Sequence, residues 1–314
     1  MAIEDKNVVV LVGGVGGAKL AHGLAQILPP GRLTVIVNTG DDLWLYGLRV
    51  CPDLDTVMYT LGGLVDKEKG WGVAGDSFDT LAAMKRYGEE TWFGIGDQDF
   101  ATHLLRTKAL LKGDSLTQVT QKLTTALGIR HTILPMTDAP VATKVVTVEQ
   151  GALDFQVYFV RQRWQPTIKS VRFDGIEGAA VSPEAQRAIA SADVILFGPS
   201  NPWLSIAPIL AVPGMRDRLI ARSVPRVALS PIVGGEAIKG PAAKMMAEMG
   251  YTVNAATVAT YYTGVINGFV YDERDAGQVN IDGLRATTFD TIMKTVEDRV
   301  ALARNMLEWI GRQQ

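Results

Sequence analysis

The chain has 314 residues, of which 47% are hydrophobic and 20% charged, and its formal net charge is −2. That mix excludes bulk disorder, and the near-balanced charge argues against nonspecific binding to nucleic acid or an anionic membrane. A lone cysteine, Cys51, excludes a disulfide framework and a Cys-cluster zinc site, and no apolar run is long enough to span a bilayer. The N-terminus has no basic stretch leading into an apolar leader, so the expected location is cytoplasmic.

Residues 7–12 read NVVVLV, a Val-rich run of the kind buried on both faces of a parallel sheet. They lead into Gly13-Gly14-Val15-Gly16-Gly17. Apolar residues at Leu20, Leu24, Ile27 and Leu28 then predict a helix over 18–28, stopped by Pro29-Pro30-Gly31. A second buried strand is expected at 33–37. Strand, glycine loop, helix and strand make the opening unit of a doubly wound α/β fold. Helical patterns follow at about 76–87, 98–112 and 115–127, the last capped at Asp114-Ser115. The stretch 142–173 differs: two β-rich runs, 143–148 and 154–160, flank Gly151 and read as an antiparallel hairpin insertion. A helix at 182–191 starts on Ser182-Pro183, with Ser as cap and Pro at the first helical position. Strands are expected at 193–197, 226–229 and 268–271, and helices at 204–222, 240–249 and 288–311. The expected architecture is an α/β fold: a doubly wound, mainly parallel, Rossmann-like sheet. It forms one domain over 1–314, with a smaller inserted β/helical lobe at about 142–175.

Five blocks carry chemistry. The glycine turn at 13–17 lets backbone N–H groups approach a phosphate at a helix start, and Lys19 can add a charge. It is neither of the two familiar nucleotide loops. Lys19 stands where the dinucleotide fingerprint needs its third Gly, strand two ends in Asn38 rather than an acid, and Ala18-Lys19-Leu20 breaks the P-loop pattern. The second block pairs Asp41-Asp42, just past strand two, with Asp53 and Asp55 about a dozen residues on. Hard carboxylate oxygens suit Mg²⁺ beside substrate phosphates, whereas the plain structural alternative makes Asp53 or Asp55 a helix cap. In the third, Asp99, His103 and Arg106 fall at i, i+4 and i+7 and share one helix face. That face either meets a substrate anion through Arg106 or carries a stabilising Asp–His pair. The fourth, Gly198-Pro199-Ser200-Asn201-Pro202-Trp203, reads as a rigid polar shelf. The fifth runs from Ser230-Pro231 through Gly234-Gly235 to Lys239 and Lys244, either of which can reach an anion. An ordinary βα loop is the alternative for both. No nucleophile elbow or His-based metal pattern is present, and His22 and His131 read as structural.

Together these blocks resemble the 2-phospho-L-lactate transferase family of coenzyme F420 biosynthesis. The resemblance rests on LVGGVGGAKL at 11–20, VNTGDDLWLYGLRVCPDLDTVMYTLGG at 37–63, GDQDFATHLLR at 96–106, ILPMTDAPV at 133–141, GPSNPWLSI at 198–206 and SPIVGGEAIKGPAAK at 230–244. The VCPDLDTVMYTLGG block is closer to bacterial members. The resemblance implies a Mg²⁺-dependent transferase that joins a guanylylated three-carbon phospho-acid to the deazaflavin FO and releases GMP. The acid is phospholactate, phosphoenolpyruvate or phosphoglycerate. Small-molecule substrates, a homodimer, and no nucleic-acid or membrane partner are implied with it. Asp55 matches the FO-contacting acid of the D-L-D-T motif, and Asp42 the second invariant acid after strand two. These two are the expected catalytic and Mg²⁺-binding pair, with Asp41 or Asp53 as alternatives to Asp42. The expected ligand-binding set is Gly13, Gly14, Gly16, Gly17, Lys19, Asn38, Asp55, Gly94, His103, Arg106, Ser200, Asn201, Gly234 and Lys244. Gly94 and Gln98 stand where archaeal members carry basic residues. Two rivals share part of the pattern: a nucleotide-sugar-binding regulatory protein of the same fold, and an NAD-dependent oxidoreductase, which Lys19 and Asn38 argue against.

Overall fold

In the computed structural model, which describes residues 5–238 and 240–312, the valine run forms β1 (Val8–Val12), buried along its whole length. The chain continues through α1 (Gly14–Ile27) into β2 (Leu33–Val37). A small antiparallel hairpin, β3 (Leu43–Leu45) with β4 (Leu48–Val50), precedes α2 (Pro52–Leu61). Next come α3 (Asp79–Arg86), α4 (Asp97–Leu111), α5 (Leu116–Ala126) and β5 (Thr132–Pro135). The inserted lobe holds β6 (Ala142–Thr147), β7 (Gly151–Asp154), one π-helical turn (Val157–Arg161) and β8 (Ile168–Asp174). After it come α6 (Pro183–Ser191), β9 (Val194–Phe197), a second π-helical turn (Pro202–Ile206), α7 (Ala207–Ala211) and α8 (Met215–Ile220). The chain ends through β10 (Arg226–Leu229), the short pair β11 (Ile232–Val233) and β12 (Glu236–Ala237), α9 (Ala242–Glu248), α10 (Ala255–Tyr261), β13 (Gly268–Asp272), β14 (Arg285–Phe289) and α11 (Val296–Gly311).

The main sheet runs β14-β13-β10-β9-β1-β2-β5 with every pairing parallel. This is the doubly wound order, and the direction of winding reverses between β1 and β9. Side chains alternate across the sheet. Val8, Val10 and Val12 pack into the layer of α1, α2 and α11, while Val9 and Leu11 pack into the opposite layer with α6, α8, α10 and the lobe. Burial of each such side chain contributes about 1.5–3 kcal/mol.

Several elements depart from the pattern-based expectation. α1 begins at Gly14, so the glycine turn is itself the first helical turn. The helix expected over 204–222 is broken between α7 and α8 by Val212-Pro213-Gly214. Proline cannot supply the N–H that would continue the helix, and Gly214 takes φ +77°. The helix expected from 288 starts at Val296 behind a Thr295/Asp298 capping box, and its first residues belong to β14. In the lobe, the run 154–160 pairs only as far as Asp154. It then coils so that Tyr158 enters the core and Gln156 Nε2 donates to the Asp41 carbonyl at 3.2 Å. Both β7 and β8 flank β6, making a three-stranded sheet.

Candidate active site

Because every strand of the main sheet is parallel, the loops after β1, β2, β9 and β10 leave from one edge. Doubly wound sheets bind ligands at that edge, where the winding reverses. There the glycine turn and the 198–201 loop close on each other. Ser200 Oγ accepts from Gly13 N–H at 3.0 Å and donates to the Gly13 carbonyl at 3.2 Å. A Cβ on Gly16 would stand 2.5 Å from the Pro199 carbonyl oxygen, and one on Gly17 2.8 Å from Ser200 Oγ. Glycine is needed here so that the two loops can touch. Gly13 caps α1 without a side chain, and the first N–H groups of the turn are taken by Ser200 and by the Asp53 carboxylate, which sits at this helix end.

Several groups expected at the ligand are engaged elsewhere. Lys19 Nζ donates to the Met293 carbonyl at 2.7 Å, on the loop leading to α11. Asn201 Oδ1 accepts from the N–H groups of Trp203 and Leu204 at 3.0 and 3.2 Å, capping the π turn. Gly234 N–H donates to Asp275 Oδ2 at 2.9 Å. Lys244 Nζ donates to the Pro166 carbonyl at 3.0 Å and pairs with Glu248, which fastens α9 to the lobe. Lys239 lies outside the described residues. Gly94 lies beside the rings of Trp71 and Phe78, 3.9 and 4.0 Å from where its Cβ would be.

The carboxylates cluster beside the glycine turn. α2 is entered from Cys51 and Pro52, and no side chain caps it, so the cap role for Asp53 or Asp55 fails. Both oxygens of Asp55 are held by Arg106, Oδ1 by Nη2 and Oδ2 by Nη1 at 3.1 Å. Arg106 is 1% exposed; burial pulls its pKa down, and the neighbouring Asp55 more than restores it. Asp42 Oδ2 accepts from Arg49 Nη2 at 3.0 Å. Burial still pushes the Asp42 carboxyl up to about 6, against the pull of Arg49 and the Cys51 thiol. Asp53 also rises to about 6 through burial, opposed by hydrogen bonds from Asn38 and the Gly14 N–H. Asp41 is pushed well above the carboxylate range, first by burial and then by Asp53. Hydrogen bonds from the Thr143 hydroxyl and the Asn38 side chain oppose that rise; among the described residues, buried Asp42 Oδ1 and Thr39 Oγ1 have no hydrogen-bond partner.

On α4, the i, i+4, i+7 spacing does bring its three residues together. His103 Nε2 lies 3.3 Å from Asp99 Oδ1, and Nδ1 lies 3.2 Å from Arg106 Nη1 and 3.6 Å from Asp55 Oδ2. A guanidinium only donates, so Nδ1 accepts from Arg106 and Nε2 faces Asp99. Tyr59 OH donates to Asp99 Oδ1 at 2.6 Å. Burial raises the Asp99 pKa, but the bonds from His103 and Tyr59 outweigh it and hold Asp99 below its usual value. The helix is aimed by reciprocal capping. Asp76 accepts from Gln98 and Asp99 N–H at the start of α4, and Asp97 accepts from Asp79 and Thr80 N–H at the start of α3. Only glycine fits at Gly96, where a Cβ would lie 2.1 Å from Asp76 Oδ2.

Asp55, Asp99 and His103 offer ligand atoms within 4.8 Å of one another, a set able to hold a divalent metal. Arg106, however, already lies against the Asp55 oxygens. Hard oxygen ligands such as those of Mg²⁺ are supplied in this set by the two carboxylates. Sequence reasoning missed Arg49, Tyr59, Asp76 and Thr143. Arg49, seven residues from Asp42, carried a weak local signal, and the others depend on tertiary contacts.

Residues 8–303 match the model of the family described as 2-phospho-L-lactate transferase CofD. A phosphoenolpyruvate transferase from Streptomyces griseus is 44% identical over 310 residues, covering 96% of this chain and 98% of that protein. One from Kitasatospora aureofaciens is 45% identical, covering 96% and 97%. A 2-phospho-L-lactate transferase from Methanosarcina mazei is 41% identical over 303 residues, covering 96% and 99%. Among solved structures, a UPF0052-family protein from Bacillus halodurans shares the fold with TM-score 0.62 at 16% identity, over 96% of this chain and 98% of that one. No helix among the described residues is long and apolar enough to cross a membrane.

Proposed function

The chain belongs to the 2-phospho-L-lactate transferase CofD family, and from that premise we propose that it joins a guanylylated three-carbon phospho-acid to the deazaflavin FO, releasing GMP, in coenzyme F420 biosynthesis. The observation that carries this reading is near full-length identity of 41–45% to transferases of this reaction class. Transferases named for phosphoenolpyruvate reach 44–45%, against 41% for the Methanosarcina mazei phospholactate enzyme, which favours phosphoenolpyruvate as the acid.

In this reading the ribityl hydroxyl of FO attacks the phosphorus that carries the acid, and GMP leaves. Such a displacement asks the protein for positioning and charge neutralisation. The α1 N-terminus and the 198–201 loop hold the guanosine diphosphate part. Asp55, locked by Arg106, orients the attacking hydroxyl or takes its proton. The carboxylates beside the glycine turn and Asp55 with Asp99 would hold Mg²⁺, which would supply charge neutralisation for the phosphates. His103, Asp99 and Tyr59 stand behind Asp55 and Arg106 and fix their orientation.

The test is incubation with FO, Mg²⁺ and the guanylylated forms of phosphoenolpyruvate, phospholactate and phosphoglycerate, with product masses read out. A phosphodiester of FO with one acid is expected, and none from any acid would remove the enzyme reading. Binding of FO, followed by its fluorescence, separates the transferase from a nucleotide-sugar-binding regulator of the same fold.

A further inference from the structure

We propose that the outer face of α4 is an interaction surface for a second copy of this chain, packed antiparallel on the same helix about a two-fold axis at the level of Leu104 and Leu105. The proposal concerns assembly and does not rest on the transferase reading.

α4 is amphipathic in the inverted sense. A surface helix ordinarily turns its leucines to the core and its charges to water. Here Asp99, His103 and Arg106 point inward, and His103 and Arg106 are each 1% exposed. They are kept there by Asp55 and Tyr59, to which they bond. Residues three, four and seven apart share a helix face, so the opposite face falls to Ala101, Leu104, Leu105 and Leu111. Ala101 is exposed, and the three leucines are 57%, 52% and 79% exposed. A single exposed leucine is ordinary, whereas a stripe of them along one helix face marks a contact surface.

The charges around the stripe say what covers it. α4 carries its acids in the first turn, with Asp97 and Asp99, and its lysines at the other end, with Lys108 and Lys112. Both lysines are exposed, and neither has an ion pair among the described residues. Asp97 is partly exposed, and hydrogen bonds from Ser77 and Thr80 hold its carboxyl well below the usual range, so it stays charged at neutral pH. Two such helices laid antiparallel bring the basic end of each to the acidic end of the other, and their dipoles oppose favourably.

The register follows from the helix repeat. With the axis between Leu104 and Leu105, Leu104 meets the partner's Leu105 and Lys108 meets the partner's Ala101. One turn further on, Lys112 meets the partner's Asp97. Leucine thus packs on leucine, the long side chain lies over the small one, and cation faces carboxylate. A parallel pair would instead set lysine against lysine and acid against acid. Every contact is repeated by the two-fold axis, which gives a closed, self-complementary interface rather than an open chain of copies.

The test uses introduced cysteines, because Cys51 is the chain's only cysteine and is buried. Positions 101 and 108 stand about 10 Å apart along one helix, too far to bridge within a copy. Across the proposed interface they face each other. Ala101→Cys combined with Lys108→Cys is therefore expected to give a covalent dimer under mild oxidation, and neither single variant should do so. In a second arm, Leu104→Glu with Leu105→Glu should raise the dimer dissociation constant about 10²-fold or more, read by analytical ultracentrifugation. Both positions are exposed, so the circular dichroism spectrum should match the parent's. A monomeric parent, an undiminished dimer in the double glutamate variant, or cross-linking that is absent from the double cysteine variant or equal in the single ones would each overturn the proposal. None of these outcomes bears on whether FO and donor react, so the interface and the transferase reading fail separately.

Discussion

Asp55 and Arg106 make a charge pair withdrawn from water, and the consequences differ from those of an exposed pair. Removing one partner leaves the other buried and uncompensated, which costs about 3–5 kcal/mol. Arg106→Met and Asp55→Asn are each expected to lose stability on that scale in urea denaturation. The double variant should lose clearly less than the sum, because neither orphaned charge remains. Strict additivity would show that the pair is not coupled. Asp55→Asn should also slow turnover by a factor of about 10² or more, since it removes the charge and the proton acceptor. Behind this pair, Asp99 has a defined pH signature. Its pKa is depressed in the folded state, so the stability it contributes is present at neutral pH and is lost as pH falls through the folded value. Tyr59→Phe deletes one of the bonds that hold the pKa down. Acid unfolding followed by circular dichroism should then begin at higher pH than in the parent, and an unchanged acid limb would remove Tyr59 from the network. At this scale the sequence was legible where neighbours lie on one element. Asp99, His103 and Arg106 were found by spacing along a helix. Arg49, Tyr59 and Thr143 reach their partners only after β4, α2 and β6 are packed, and no local pattern encodes that.

Among elements, the readable ones were those with a strong burial pattern. β1, β2, β9, β10 and β13 are continuous apolar runs and emerged from the sequence within a residue or two. β14, with RATTF at the edge of the sheet, is half exposed, and β8 alternates apolar and charged residues with most of them in solvent. Such edge strands are defined by pairing rather than by composition, so β14 was absorbed into the following helix. The glycine turn was read as a seat for phosphate, and the atoms that its glycines approach in the structure are those of the protein's own 198–205 loop and Asp53. Gly16→Val places a side chain against the Pro199 carbonyl and forces the α1 N-terminus and the 198–201 loop apart. Overpacking of that kind costs about 1–3 kcal/mol. The thermal midpoint should fall, and affinity for the guanylylated donor, measured by calorimetry, should fall much more than affinity for FO. Equal loss of both ligands would indicate general misfolding rather than a displaced phosphate seat.

For the whole molecule, the question is whether the inserted lobe is a separate unit. Its sheet, β7-β6-β8, shares no strand with the main sheet. Its apolar residues nevertheless do not form a core of their own. Val145, Tyr158 and Ile168 are each at most 1% exposed and belong to the same cluster as Val9, Leu11 and Phe197 of the main sheet. Polar ties reinforce this: Thr143 N–H donates to the Gly40 carbonyl at 2.6 Å, and Lys244 reaches the Pro166 carbonyl. These contacts support one cooperative domain; the homodimer that the family resemblance implies is a separate proposal, for which light scattering should return twice the chain mass, and the monomer mass would refute it. A lobe of this kind cannot unfold first without exposing the main core at β1 and β9, or without carrying Thr143 away from the carboxylate cluster. Scanning calorimetry should accordingly show one transition, with calorimetric and van't Hoff enthalpies in agreement once the dimer is allowed for. Tyr158→Ala removes a side chain at the lobe–core contact and should cost about 3–5 kcal/mol, as large-to-small aromatic changes in cores do. That loss should shift the single transition to lower temperature rather than split it. A separate early transition in Tyr158→Ala, with the main peak unmoved, would mean that the lobe folds on its own and that its hold on the site is only a docking contact.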